Sequence, residues 1–387
     1  MKRHVALIVE TSTGYGRRVL AGIVRFMRMH DEWSVFLEQR DLMKKPPSWL
    51  ATWEGDGIIS RATTPALVEA VTATGVPLVE LTDRRQDPLL PQIRSDDAAI
   101  GRMGAEHPLE RGFERFGFCG FRGEAWSERR QEAFVGAVRQ AGRTCDVYES
   151  HWHGPGARAW DEEQKRLSTW IGSFPRPVGI MACNDIRGLH VLEACSQKGL
   201  AVPEEVAVVG VDNDELLCRV SAPPLSSVIP NAEAVGYQAA ELLSRLMDGG
   251  ASTVEPQLVA PLGVATRQST DVVAIDDAEI AAALHYIRQH ACRGLRVEEV
   301  TRAVGISRST LERQLRKYLG RTPQQEIRNV QIKKVRELLA TTELPAEQIA
   351  PLCGFEHPEY MHVVFKRVTG MTPGGFRRQV RGEEVRK

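Results

Sequence analysis

Apolar runs and amphipathic segments alternate along the first two hundred residues. The run from Lys2 to Glu10 reads as a strand that stops at the polar turn Thr11-Ser12-Thr13-Gly14-Tyr15-Gly16. Val19, Ile23, Phe26 and Met27 follow at helical spacing, so a helix lays its apolar stripe on that strand. The order then recurs: strand Trp33–Leu37, strand GDGIIS ending at Ser60, a helix opened by Pro65, and strand GVPLVEL ending at Leu81. Helix Asp97–Leu109, strand Arg115–Phe121, helix 127–141, strand PVGIMAC ending at Cys183, helix 185–198 and strand VAVVGVD ending at Asp212 complete it. Near-continuous apolar strands separated by helices predict parallel sheets covered on both faces. The strands are too many for one small sheet and therefore predict two lobes. One takes residues 1–112 and 228–252 and the other 113–227 and 253–270, with crossings near Glu110 and Arg115 and again near Pro224 to Pro230. A ligand cleft is expected between the carboxyl ends of the two sets of strands.

A short acidic linker, residues 271–280, leads to a module at 281–387 with a different period. LRVEEVTRAVGISRSTLERQLRKYLGRTPQQEIR begins at Leu295, and LPAEQIAPLCGFEHPEYMHVVFKRVTGMTPGGFR begins at Leu344. The offset is 49 residues from Gly305 to Gly354 and 50 from Leu311 to Met361, Leu315 to Phe365, Gly320 to Gly370 and Pro323 to Pro373. Such a repeat is one supersecondary unit used twice. In each copy a short helix with apolar residues (Val297, Val300 and Val304; Ile349 and Leu352) ends at the glycine, and Ile306 or Phe355 follows. A second helix then buries Leu311, Leu315 and Leu319, or Met361, Phe365 and Val368. This is the pattern of a helix-turn-helix, an all-α motif whose second helix enters the DNA major groove. Ser307 is placed to cap the second helix of the first copy, whose outer face carries Arg308, Ser309, Glu312, Arg313, Arg316 and Lys317.

Charge agrees with this division. The chain's 50 basic and 50 acidic residues cancel only on average: residues 281–387 carry a net of +9 and residues 1–280 a net of −9. A basic module joined to an acidic one puts phosphate contacts in the tail. The first apolar run stops after five residues, too short for a signal peptide, and no window approaches eighteen apolar residues. No membrane span and a cytoplasmic location are expected. Seven cysteines without a CxxC pair read as reduced and structural, with no zinc site.

The candidate chemistry is binding rather than catalysis. Gly14-Tyr15-Gly16 is not GxGxxG and has no Walker lysine, and GFRGEAWSERR is not a nucleophile elbow. His151 and His153, on a loop rich in Trp, Gly and Pro, read as surface residues without a third metal ligand. With no nucleophile, base or metal set, neither an enzyme nor a cofactor is expected. Polar residues gather instead just beyond the strand ends: Ser60 before Arg61, Asp83, Ser95-Asp96, Arg129 and Arg130, Asn184 and Asp185, and Asp212, Asn213 and Asp214. These side chains offer the paired donors and acceptors that grip vicinal hydroxyls, and Tyr15 or Trp126 offers a ring for a sugar's C–H face. Asp97 and Asp185 also stand where a helix cap is wanted.

The doubled tail resembles the DNA-binding domain of the AraC/XylS family of transcriptional regulators. That resemblance implies seven helices, two helix-turn-helix units and a linking helix over 327–339. Matched on GISRSTLERQLRKYLG, it puts base reading on Ser309, Glu312 and Arg313; the cations Arg308, Arg316, Lys317, Lys333 and Lys334 are expected to meet phosphates. In the second unit His357, Glu359, His362 and Lys366 are the corresponding polar candidates, while Pro358 and Val363 depart from the family pattern, Val363 at a position often held by arginine. Residues 1–270 resemble the effector-binding part of the LacI/GalR family, chiefly in IMACNDIRGLHVLEACSQKGLAVPEEVAVVGVDNDE and PPLSSVIPNAEAVGYQAAELLSRLMDG.

The second resemblance implies a two-lobed α/β sensor of periplasmic-binding-protein type. In it Arg130 holds sugar hydroxyls, Asn184 or Asp185 lines the pocket, Asp212 accepts from the sugar, and a homodimer forms through the sensor. Pro108 departs from the family's uninterrupted helix and is expected to kink or end it. The combination resembles bacterial regulators of pentose use. It implies D-xylose or a related monosaccharide as effector, promoter DNA as partner, and RNA polymerase as a further partner of an activator. A repressor of the same build, a sensor of another pentose or hexose, and a sugar-binding transport protein are the alternatives.

Overall fold

The first sheet is built from short apolar strands, buried along its centre and exposed along the edge strand Trp33–Leu37. In chain order its elements are β1 (Arg3–Ile8), α1 (Gly14–His30), β2 (Trp33–Leu37), β3 (Gly57–Ser60), α2 (Pro65–Thr72) and β4 (Leu78–Glu80). The strands pair in parallel in the order β2-β1-β3-β4. Next comes β5 (Ile93–Ser95), joined to this sheet through the Glu80–Gln92 bridge. The computed structural model describes residues 2–30, 33–41, 45–61, 64–82, 90–153, 156–250, 255–272 and 274–381.

The second lobe contains α3 (Asp97–Leu109), β6 (Arg115–Phe121), α4 (Ala125–Gln140), β7 (Thr144–Ser150), α5 (Trp160–Gly172) and β8 (Val178–Ala182). It continues with α6 (Asp185–Gln197), β9 (Val206–Val211), α7 (Glu215–Val220) and β10 (Ser226–Ile229). The chain then returns to the first lobe for α8 (Ala232–Met247) and β11 (Gln257–Val259), and ends the sensor with β12 (Gly263–Ala265). The second sheet runs β12-β10-β9-β8-β6-β7, parallel except for the antiparallel pairing of β12 with β10. β8 and β9 are buried at every position, as sheet centres covered on both faces require.

Two expected lobe boundaries move. The first crossing lies at Asp96, before α3, not near Glu110 and Arg115, because α3 packs on α4 and seats Gly104 against Met181 of β8. The last lies between Val259 and Gly263, not at 252, because β11 pairs with β5 in the first lobe. Pro108 stands in the final turn of α3, which ends one residue later at Leu109. The sequence pattern also passes over β7, an edge strand whose side chains are exposed or half-buried as far as Glu149, and over α5 and α7.

The chain divides into Met1–Val202 with Val206–Asp271, and Pro203–Glu205 with Val272–Lys387. The second unit is helical: α9 (Ala278–His290), α10 (Val297–Val304), α11 (Arg308–Leu319), α12 (Pro323–Thr341), α13 (Ala346–Leu352), α14 (Pro358–Thr369) and α15 (Pro373–Arg381). Gly305 and Gly354 follow the first helices of the two repeats with φ of 74° and 75°, a left-handed conformation that glycine adopts without steric cost. Ser307 caps α11 by accepting from the Thr310 amide at 3.1 Å.

Each helix-turn-helix has its own core, and α12 serves both. Ile327 packs with Leu311, Leu315 and Val300, while Ile332, Val335 and Leu339 pack with Ile349, Met361 and Phe365. Between these two stretches the buried Gln331 amide donates to Ala291 O at 2.8 Å and Gly354 O at 3.1 Å, pinning one unit to the other. Two expected core residues are exposed: Leu352 at 54% and Val368 at 55%, with Ala350, Cys353 and Val364 buried in the second core. Leu319 is partly buried against the first core.

Candidate functional site

The strand ends of the two lobes face a cleft of about 690 Å³. Of the residues expected there, Tyr15, Trp126, Arg129, Arg130, Asn184, Asp185 and Asp212 line it. Asp97 and Asp185 are not caps. Asp96 caps α3 by accepting from the Ala99 amide at 2.8 Å, and Asn184 caps α6 by accepting from the Arg187 amide at 2.8 Å. That leaves the next residue in each case, at the first helical position, to face the cleft.

Asp97 is the fixed anion of the wall. Arg130 Nε donates to Asp97 Oδ1 and Arg129 donates to Oδ2, each at 2.9 Å, while Arg130 also donates to Cys183 O at 2.7 Å. The Arg130 guanidinium lies 4.9 Å from the centre of the Trp126 ring. Burial works against its charge, but Asp97 and Asp212 outweigh that and hold its pKa above the ordinary value. A planar donor fixed by a carboxylate and backed by an indole is suited to neighbouring hydroxyl oxygens.

Asp212 directly follows β9 in a left-handed turn, with φ of 104° at Asp212 and 48° at Asn213. Asparagine adopts the second angle readily, whereas φ of 104° at Asp212 is one a residue other than glycine keeps only when its surroundings hold it. The holding groups are identifiable. Asp185 accepts from Ser227 Oγ at 2.6 Å and from the Asp214 amide at 2.7 Å, and Ser227 Oγ accepts from the Asn213 amide at 2.9 Å. Burial, then the neighbouring Asp212, pushes Asp185 up to about 8. Burial also raises Asp212, while Arg130, Arg18 and Arg61 pull it down.

On the opposite wall, Arg61 pairs with the buried Glu10 and lies 4.9 Å from the Tyr15 ring centre, and Tyr15 shares a hydrogen bond with Ser95 at 2.9 Å. Glu10 also accepts from Thr13 Oγ1 at 2.8 Å. Two expectations change. Ser60 is fully buried, and the alternation of the strand gives the cleft position to Arg61. Asn213 lies outside the lining, because its side-chain oxygen accepts from Arg267 at 2.6 Å. Asp83 lies outside the described residues. His153 is exposed, as expected of a surface residue, and stands at the rim of the cleft, stacked on Trp152 with ring centres 4.5 Å apart. Glu10 and Trp152 also line the cleft and carried no separate signal in the sequence: the first sits inside an apolar run, the second on an irregular loop.

In the helical unit, Arg308, Ser309, Arg313, Arg316 and Lys317 are exposed along α11 and Lys333 along α12, with Glu312 half-buried. Arg308 is committed locally, donating to Glu298 at 2.7 Å and Glu312 at 3.0 Å. Lys334 pairs with Glu337 at 2.9 Å. His357, Glu359, His362 and Lys366 are exposed on α14 or its cap, and Pro358 sits harmlessly at the first helical position. Among the described residues no helix is long and apolar enough to cross a membrane, and no cluster of His, Cys, Asp or Glu could hold a metal ion.

A two-lobed α/β unit with a polar interlobe cleft, followed by paired helix-turn-helix units, defines a ligand-responsive transcriptional regulator. Residues 4–94 match the XylR N-terminal domain, 105–270 a periplasmic binding protein-like domain, and 300–379 a helix-turn-helix domain. The chain is 34% identical to the xylose operon regulatory protein of Escherichia coli strain K12 over 97% of each chain. It is 33% identical to that of Haemophilus influenzae over 96% of this chain and 97% of the other. The solved structure of the xylose-binding transcription activator XylR superposes with a TM-score of 0.84 at 32% identity, covering 98% of both chains. The chain belongs to the family of xylose operon regulatory proteins, which are regulators of transcription and not enzymes.

Proposed function

We propose that this chain is a D-xylose-activated activator of xylose-utilisation genes, working in the cytoplasm as a homodimer formed through the sensor. The sugar lies in the interlobe cleft. Arg130, held by Asp97, donates to neighbouring hydroxyls, Asp212 accepts from them, Asn184 and Asp185 frame the second-lobe wall, and Trp126 meets a C–H face. The tail binds promoter DNA, with Arg313 reading a base and Arg316, Lys317, Lys333 and Lys366 meeting phosphates, and the bound activator contacts RNA polymerase. The observation that carries this reading is the Arg130–Asp97 pair at 2.9 Å beside the cleft-facing Asp212, on a chain that ends in two helix-turn-helix units.

Sugar binding favours the lobe arrangement it fits best, and only that differential affinity alters the output. Calorimetry of the full chain against D-xylose, other pentoses and hexoses tests the effector. Saturable heat with D-xylose, weakened at least tenfold in Asp212→Asn, is expected. A response to another sugar and none to D-xylose overturns the assignment.

A further inference from the structure

The two recognition helices are equivalent by the internal repeat but unlike in chemistry. The 50-residue offset that relates Leu311 to Met361 and Leu315 to Phe365 also relates Arg313 to Val363. Both are exposed on helices whose opposite faces bury those leucines and their counterparts. Val363 is 54% exposed and stands outside the core cluster of its unit. The other exposed apolar groups nearby have different surroundings. The Arg328 guanidinium lies 5.0 Å from the Tyr360 ring centre, and Val368 lies well around the helix from Val363.

The neighbours of Val363 on the exposed surface, one turn away, are Glu359 and Tyr360 on one side and Lys366 and Arg367 on the other. An aliphatic group presented beside two cations, where the paired unit presents a guanidinium, fits an anionic partner surface that is apolar at the point of contact. That surface is a DNA major groove with a methyl group at the contacted base. In the major groove arginine is suited to guanine N7 and O6, whereas an aliphatic side chain is suited to the thymine 5-methyl group.

We propose that Val363 reads thymine methyl groups, so that the first unit selects a G·C pair and the second a T·A pair within one binding site. This rests on the DNA-binding reading of the tail. The site is thereby directional: two units joined by α12 but reading different bases cannot be exchanged end for end without loss. Because Val363 lies outside the core, its substitution leaves the second unit folded.

The test begins with duplexes selected by the full chain from a randomised pool. In the best duplex each thymine is replaced in turn by deoxyuridine, which keeps the base pair and removes the methyl. One or two positions are expected to lose about three- to fivefold in affinity, as removal of a single buried methyl contact implies. Val363→Ala is expected to lose about as much on the thymine duplex and to show no further loss on the deoxyuridine one. Val363→Arg is expected to move the selected base at that position from thymine towards guanine.

Uniform indifference to deoxyuridine overturns the proposal, as does an undiminished methyl effect in Val363→Ala. If no sequence is enriched from the pool at all, the DNA-binding reading itself fails, a result distinct from enrichment without a methyl effect.

Discussion

Arg18 of α1 donates to the main-chain oxygen of Asn213 at 3.2 Å and to that of Asp212, tying the first lobe to the left-handed turn of the second. A β-carbon at Gly14, on the same helix, would collide with the Asp214 carboxylate. The turn that aims Asp212 into the cleft is thus gripped from across it, and lobe approach and Asp212 orientation are mechanically linked.

Arg18→Met removes these donors while keeping most of the aliphatic stem. Charge-assisted hydrogen bonds to carbonyls contribute roughly 1.5–3 kcal/mol when lost partners stay buried, less where water replaces them. A tenfold loss of sugar affinity, about 1.4 kcal/mol, is expected, with a lowered thermal stability of the free protein, in which these bonds are already made. Equal sugar affinity in calorimetry contradicts the grip.

His107 shares a 2.7 Å hydrogen bond with Thr270, and Arg111 donates to the Thr270 carbonyl at 2.9 Å. Burial, with Arg111 adding to it, lowers His107 from an ordinary 6.5 to about 4. The folded protein therefore holds this ring neutral while the unfolded chain takes up a proton. Its contribution is complete above pH 6.5 and is lost as the pH falls towards 4, by up to roughly 3 kcal/mol. Denaturant unfolding from pH 7 to pH 4 should show a steeper fall for the native chain than for His107→Gln. Parallel curves contradict it.

Arg313→Ala is expected to cost roughly 1–3 kcal/mol on selected DNA, to relax one base position, and to leave binding to random duplex almost unchanged. Arg316→Ala should weaken both duplexes alike and lower the salt dependence by about one unit. Equal losses for Arg313→Ala on both duplexes make it a phosphate contact.

The sequence exposes what is periodic. α3 and β6 fall on their expected residues because apolar spacing and caps define them locally, and the 50-residue repeat displays both helix-turn-helix units. Lobe membership was less legible. Nothing local in Asp97–Leu109 says that Gly104 meets Met181 and places that helix in the second lobe. The same limit applies to the cleft. Strand-end polarity identifies Arg130 and Asp212, but whether Ser60 or Arg61 faces the ligand depends on one step of strand alternation. Glu10 looks like the end of a strand until Arg61 is brought beside it from 51 residues away.

The central claim is that cleft occupancy governs the tail. Fluorescence anisotropy of a selected promoter duplex, titrated with the full chain with and without saturating D-xylose, tests it most directly. The account predicts at least a fivefold tightening with the sugar, matched by an equal tightening of D-xylose binding when DNA is present. DNA affinity that stays the same while calorimetry records the sugar bound would contradict it.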